Sequence, residues 1–194
     1  MLYSIYAEST PNPEVMKFVA NRMLADKSIE ASTMAEAQGI SIAEELLKFP
    51  FVKNIYLSSN FISISKIETI EWENIAIQLR IFIADFLNEQ GIKNYTEHLK
   101  KNQKQENNKE KEKKKEFSKK EIKINALLEQ YIKPAVESDG GAITLKALVG
   151  DVVTVNLKGA CSGCPSATIT LKNGIETLLK EKFHPDIKVI ADEI

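Results

Sequence analysis

The chain has 194 residues, 43% hydrophobic and 27% charged, with a formal net charge of −1. That is a globular composition with room for one large or two small domains, and no apolar run reaches the length of a membrane span. Charge is unevenly placed: residues 100–120 hold ten lysines and four glutamates, a local +6 that leaves the remainder at −7 and offers phosphate backbones no basic face.

Neither a nucleic acid nor a membrane is therefore expected as a partner. No secretory or organelle-import segment is read, so the cytoplasm is the expected compartment.

In chain order, residues 2–7 read as a short strand. Thr10-Pro11-Asn12-Pro13 reads as a turn, since each proline biases its predecessor toward extended backbone. Residues 17–24 read as a second strand, with Phe18, Ala20 and Leu24 on one face. Residues 26–39 carry no clear period. Ser41 with Glu44 three residues on has capping-box spacing, and Pro50 is expected to end the helix that follows. Residues 52–57 and 61–65 read as a hairpin turning at Ser58-Ser59-Asn60. Trp72, Ile75, Leu79, Phe82 and Phe86 recur at steps of three and four, which predicts a helix packed on that hairpin and stopped at Gly91.

Residues 96–120 are mostly Lys, Glu, Asn and Gln. Too little apolar surface is present to offset chain entropy, so a disordered linker is expected. Three parts follow: a first domain at residues 1–95, the linker at 96–120 and a second domain at 121–194. The fold class read from this pattern is α+β, two small domains joined by the charged linker.

The second domain reads helix-strand-strand-helix-strand. Ile124, Leu127, Leu128, Tyr131, Ile132 and Val136 make a helical stripe that Pro134 should kink, and Asp139-Gly140-Gly141 should stop it. Ile143 and Leu145 share a face of one strand, and Val153, Val155 and Leu157 share a face of the next. Gly150-Asp151 turns between them. The last helix carries Ile169, Leu171, Ile175, Leu178 and Leu179, ends at His184-Pro185, and leads to a strand expected to run parallel to its predecessor.

Both cysteines of the chain, Cys161 and Cys164, sit between that second strand and last helix, in Gly159-Ala160-Cys161-Ser162-Gly163-Cys164-Pro165-Ser166. Pro165 suits a first helical position. Free N–H groups and the positive helix end would then face the thiols and favour thiolate. The small residues around them are expected to leave the sulfurs exposed and approachable.

Several chemistries fit a lone CxxC. A thioredoxin-like redox pair also uses a helix start, but this domain has few strands for that fold. Structural zinc wants four Cys or His ligands, and the two histidines, His98 and His184, lie away from the motif, so one chain cannot close such a site there, while a zinc bridging two chains stays open. A cubane iron–sulfur cluster takes four thiolates, which two chains related by a two-fold axis supply. Buried, inert cysteines are the remaining possibility. No nucleophile–base pair or paired-carboxylate site stands out, so an enzyme is not expected.

Glu137-Ser138-Asp139-Gly140-Gly141, the CxxC segment, and Thr170-Leu171 with Gly174-Ile175-Glu176 together resemble the C-terminal domain of NifU-like (Nfu) iron–sulfur cluster scaffold and carrier proteins. Thr10-Pro11-Asn12-Pro13, Lys17-Phe18, the hairpin at residues 61–64 and Trp72 are similar to the Nfu N-terminal domain. Two positions depart from the usual family pattern: Ile40-Ser41-Ile42-Ala43 opens the first-domain helix, and Ser166-Ala167 follows the motif proline.

The resemblance implies a [4Fe–4S] cluster held by Cys161 and Cys164 of two chains, in a homodimer formed through the cluster. It also implies transfer of that cluster to recipient apo iron–sulfur proteins, after supply by donor or assembly proteins. The alternative of a different class is a thiol–disulfide oxidoreductase using Cys161 and Cys164.

Overall fold

The computed structural model describes residues 2–90, 118–162 and 165–192. These form two compact units, each a sheet with helices, an α+β architecture as read from the sequence. Residues 91–117, which include the expected stop at Gly91, His98 and most of the expected linker, lie outside the described residues.

The first unit is a five-stranded sheet ordered β1-β2-β5-β4-β3. Its strands are β1 (Ile5–Ser9), β2 (Val15–Ala20), β3 (Ala25–Ala31), β4 (Val52–Ser59) and β5 (Phe61–Lys66). β4 and β5 make the expected hairpin, with Ile55 opposite Ile64 and Leu57 opposite Ile62. The period-two alternation of these strands sends Phe18, Ile55, Leu57, Ile62 and Ile64 to one face. Helix α2 (Trp72–Gln90) covers that face with Ile75, Leu79, Ile83, Phe86 and Leu87, all buried. Phe82, read as part of the same stripe, sits at its margin and meets Phe49 edge-on at 5.1 Å. Trp72 anchors the helix start, its indole N–H donating to the Pro13 carbonyl at 3.0 Å.

Three details differ from expectation. Residues 25–31, part of a stretch without clear period, form β3, an edge strand that buries only Ala25 and Ala31 at its ends. The strand read to Leu24 stops at Ala20. The expected Ser41–Glu44 capping box does not form. Helix α1 (Ser41–Leu46) begins after a buried Ile40, and the Glu44 carboxylate accepts from the Gly39 N–H at 2.7 Å instead. Gly39 has a φ of 82°, so the tight turn aims its N–H at the helix. Burial of Ile40, rather than a polar cap, fixes where the helix starts.

The second unit opens with helix α3 (Lys119–Leu127), two residues inside the stretch read as linker. Ser118 and Glu121 form a full capping box there. A π-helical turn (Leu128–Ile132) and helix α4 (Lys133–Ser138) continue the same rod. Pro134 has no N–H and its ring crowds the preceding turn. The wider π turn just before it relieves that clash, so the helix is locally widened rather than cut. The extra residue per turn also shifts the helix phase. Ile124, Leu128 and Val136 stay buried, whereas Tyr131, read as part of the stripe, is 45% exposed, with the Lys182 ammonium 5.0 Å over its ring.

Gly140, at φ 81°, takes the left-handed position that ends α4. Strands β6 (Gly141–Val149) and β7 (Val152–Gly159) then pair antiparallel across a turn at Gly150, itself at φ 59°. Helix α5 (Pro165–Lys182) crosses back and β8 (Lys188–Asp192) joins β7 in parallel. The order is helix, strand, strand, helix, strand, as expected. Ile175 and Leu179 of α5 pack with Ile143, Val153, Val155, Ile187 and Val189 in this unit's own core. Ile169, read as part of the helix stripe, instead faces outward at 58% exposure.

Candidate functional site

The register of the β6–β7 pair decides what surrounds the cysteine motif. Gly141, the first residue of β6, lies opposite Gly159, the last of β7. The segment that ends α4 is therefore brought against the segment that begins the cysteine turn. The Gly140 carbonyl accepts from the Ala160 N–H at 3.2 Å. Gly159 has a φ of 63° and reverses the chain there, and the Ser162 N–H closes back on the Gly159 carbonyl at 3.1 Å. Two glycine-bearing motifs far apart in sequence are one structural feature.

Cys161 sits on that turn and is 7% exposed. This corrects the expectation of an exposed sulfur: a glycine neighbour lowers the steric barrier to burial as readily as it opens the site. The seat of the sulfur is the bare Cα of Gly141. A Cβ placed on Gly141 would lie 2.7 Å from the Cys161 Sγ, 2.8 Å from the Lys158 carbonyl oxygen and 3.1 Å from the Cys161 Cβ. Cys161 also borders a groove whose walls include Ala135, Val136, Asp139, Ala160, Thr170 and Leu171. Among the described residues the lining is largely apolar, with the Asp139 carboxylate and the Thr170 hydroxyl.

Cys164, the other expected ligand, lies outside the described residues. The backbone of α5 begins at Pro165, the first helical position read from the sequence. The N–H groups of a first helical turn have no partner within the helix and favour negative charge at its start. Thr168, in the next turn, is 8% exposed and its hydroxyl has no hydrogen-bond partner. A buried hydroxyl is normally paired, and this one is not. Gly141 was not singled out in the sequence as touching the site; the glycine pair at opposite strand ends was the available signal.

Elsewhere in this unit, the Glu176 carboxylate on α5 is held below the usual carboxylate range. The Lys180 ammonium, at 2.6 Å, is the largest cause, followed by the Val189 N–H of β8. In the first unit the Glu36 carboxyl is lowered mainly by the Ser32 N–H it accepts at 2.7 Å. Both are structural ties.

Comparison with known proteins places each unit. Residues 5–90 match the family model described as scaffold protein Nfu/NifU N terminal, and residues 124–190 match that of the NifU-like domain. A human protein named NFU1 iron-sulfur cluster scaffold homolog, mitochondrial, is 30% identical over 186 residues, covering 95% of this chain and 69% of the relative. A protein of the same name from Drosophila willistoni is 31% identical over 188 residues, covering 96% of this chain and 62% of the relative. The Drosophila sechellia protein of that name is 30% identical over 195 residues, with 96% and 63% covered. The chain thus spans somewhat less than two thirds of the fly relatives' length. With both units matched in order and the cysteine turn inside the second, the chain belongs to the NifU-like (Nfu) family of scaffold proteins.

Proposed function

We propose that this protein carries an iron–sulfur cluster, a [4Fe–4S] cube held between the Cys161 and Cys164 thiolates of two chains, and delivers it to recipient apo iron–sulfur proteins. The cluster is cargo, not a resident cofactor, and the protein acts as a carrier rather than as an enzyme. The observation that carries this reading is the cysteine turn itself. Cys161 is seated on a glycine-built corner, at the start of a helix whose free N–H groups favour anions, beside a groove of mostly apolar side chains. A cluster with its thiolates is an anion that prefers low water content, and this setting suits it.

Two thiols per chain leave a cube half-ligated, and a second copy completes the set. Such a cluster is released when the chains part or a recipient's thiols compete. The partners that follow are a second copy of the chain, recipient apoproteins and a cluster donor. A thiol–disulfide oxidoreductase using Cys161 and Cys164 remains the alternative of a different class.

Anaerobic reconstitution with iron and sulfide tests the proposal. The protein should turn brown and bind about two iron and two sulfide per chain. It should then restore an apo [4Fe–4S] enzyme faster than free iron and sulfide do in the presence of a chelator. Cys161→Ser and Cys164→Ser should each lose both properties. A colourless protein that instead reduces disulfides would favour the oxidoreductase.

A further inference from the structure

We propose that Gly141 is a positioning residue for Cys161, and that the space left by its missing side chain sets where the first cluster thiolate stands before any cluster arrives. This deepens the carrier reading above and rests on it. The three glycines at this corner are there for different reasons. Gly140 and Gly159 have φ values of 81° and 63°, a backbone region that disfavours any side chain. Gly141 is not among the residues of positive φ and lies in a regular strand register opposite Gly159. An alanine could adopt its backbone without strain. What forbids one is room: the new methyl would lie 2.7 Å from the Cys161 Sγ and 2.8 Å from the Lys158 carbonyl oxygen, both well inside van der Waals contact. The sulfur therefore lies close against the Gly141 backbone.

A ligand held in place before binding loses little freedom when the metal arrives. Gly141→Ala keeps the thiol but denies it this seat, and Cys161 must rotate outward or the strand end must shift. Cluster retention should fall although both cysteines remain.

Three measurements on the full chain test this. In a Cys164→Ser background Cys161 is the sole thiol, and Gly141→Ala should raise its alkylation rate about tenfold or more, because burial is what slows it. In otherwise native protein, Gly141→Ala should shorten the lifetime of the reconstituted cluster at least several-fold. In apo protein, Gly141→Ala should lower the urea midpoint, and the same change in a Cys161→Ala background should lower it less, since the nearest obstructing atom is gone.

If Gly141→Ala alone does not fold, the double variant with Cys161→Ala should recover folding. Equal effects in the two backgrounds, or a double variant that stays unfolded, would show that the Lys158 carbonyl and not the sulfur forbids a side chain, and would overturn the proposal. An unchanged alkylation rate would overturn it as well, as would a faster rate with unchanged cluster lifetime. A native protein that takes up no cluster would sink the carrier reading with it. The alkylation and urea results would then still report whether the sulfur is seated on Gly141.

Discussion

Thr168 carries a methyl and a hydroxyl into a place where its helix otherwise presents Leu171, Ile175 and Leu179 to the core. The methyl suits that environment; the hydroxyl, buried and without a partner, does not. An unsatisfied buried hydroxyl costs on the order of 1–3 kcal/mol relative to an apolar group of the same shape. Thr168→Val should therefore raise the stability of the cluster-free protein by about 1 kcal/mol, read as a higher urea midpoint. Destabilisation by a similar amount would mean that the hydroxyl is paired in solution. Gly141 illustrates why a site's supporting residues are hard to read from a sequence. A glycine that makes room has no motif of its own, and only the strand register puts it against the cysteine turn.

At the level of elements, the second unit is held by ties at the ends of its helices. Ser118 and Glu121 cap α3, and the Glu121 carboxylate also accepts from the Leu148 N–H of β6 at 3.3 Å. Glu121→Ala removes a cap and a helix-to-strand tie at once, and should cost about 1–2 kcal/mol in urea unfolding. A loss below a few tenths would show that α3 frays without consequence. Glu176 ties α5 to β8 through Lys180 and the Val189 N–H. Its carboxyl is lowered in the folded state. The stabilisation is therefore present above the unfolded-state value and lost as pH falls through the folded one. Stability measured from neutral pH down to about pH 3 should decline less steeply in Glu176→Gln than in the native protein. Parallel curves would remove Glu176 from the account.

The elements that were legible are those whose apolar period is long or strict. The α2 stripe from Ile75 to Phe86, the continuous buried runs of β4 and β5 and the alternation at the start of β7 each extend over several turns or residues. Elements set by tertiary context were not legible. β3 is an edge strand whose ends alone are buried, so it shows no alternation. The π turn ahead of Pro134 shifts the helix phase and turns Tyr131 outward, which no fixed period of 3.6 anticipates. At the site, the motif pointed to Cys161 and to the helix start at Pro165. The burial of Cys161 was missed, because small neighbours had been read as exposure when they also permit close packing.

For the whole molecule, each unit has its own core of buried side chains, one around Phe18, Ile62 and Leu79, the other around Ile124, Val155 and Ile175. Both cysteines belong to the second part of the sequence, so the first unit supplies no thiolate. No helix among the described residues is long and apolar enough to cross a membrane. A cluster bound only by the folded, paired state stabilises that state by mass action, so loaded protein should resist unfolding better than cluster-free protein.

The most direct test of a shared cluster is native mass spectrometry of the anaerobically reconstituted full chain. The account predicts a species of two chains with one four-iron, four-sulfide cluster, reverting to single chains when a chelator removes the iron. A single chain carrying a complete cluster, or a dimer that survives unchanged without iron, would contradict it.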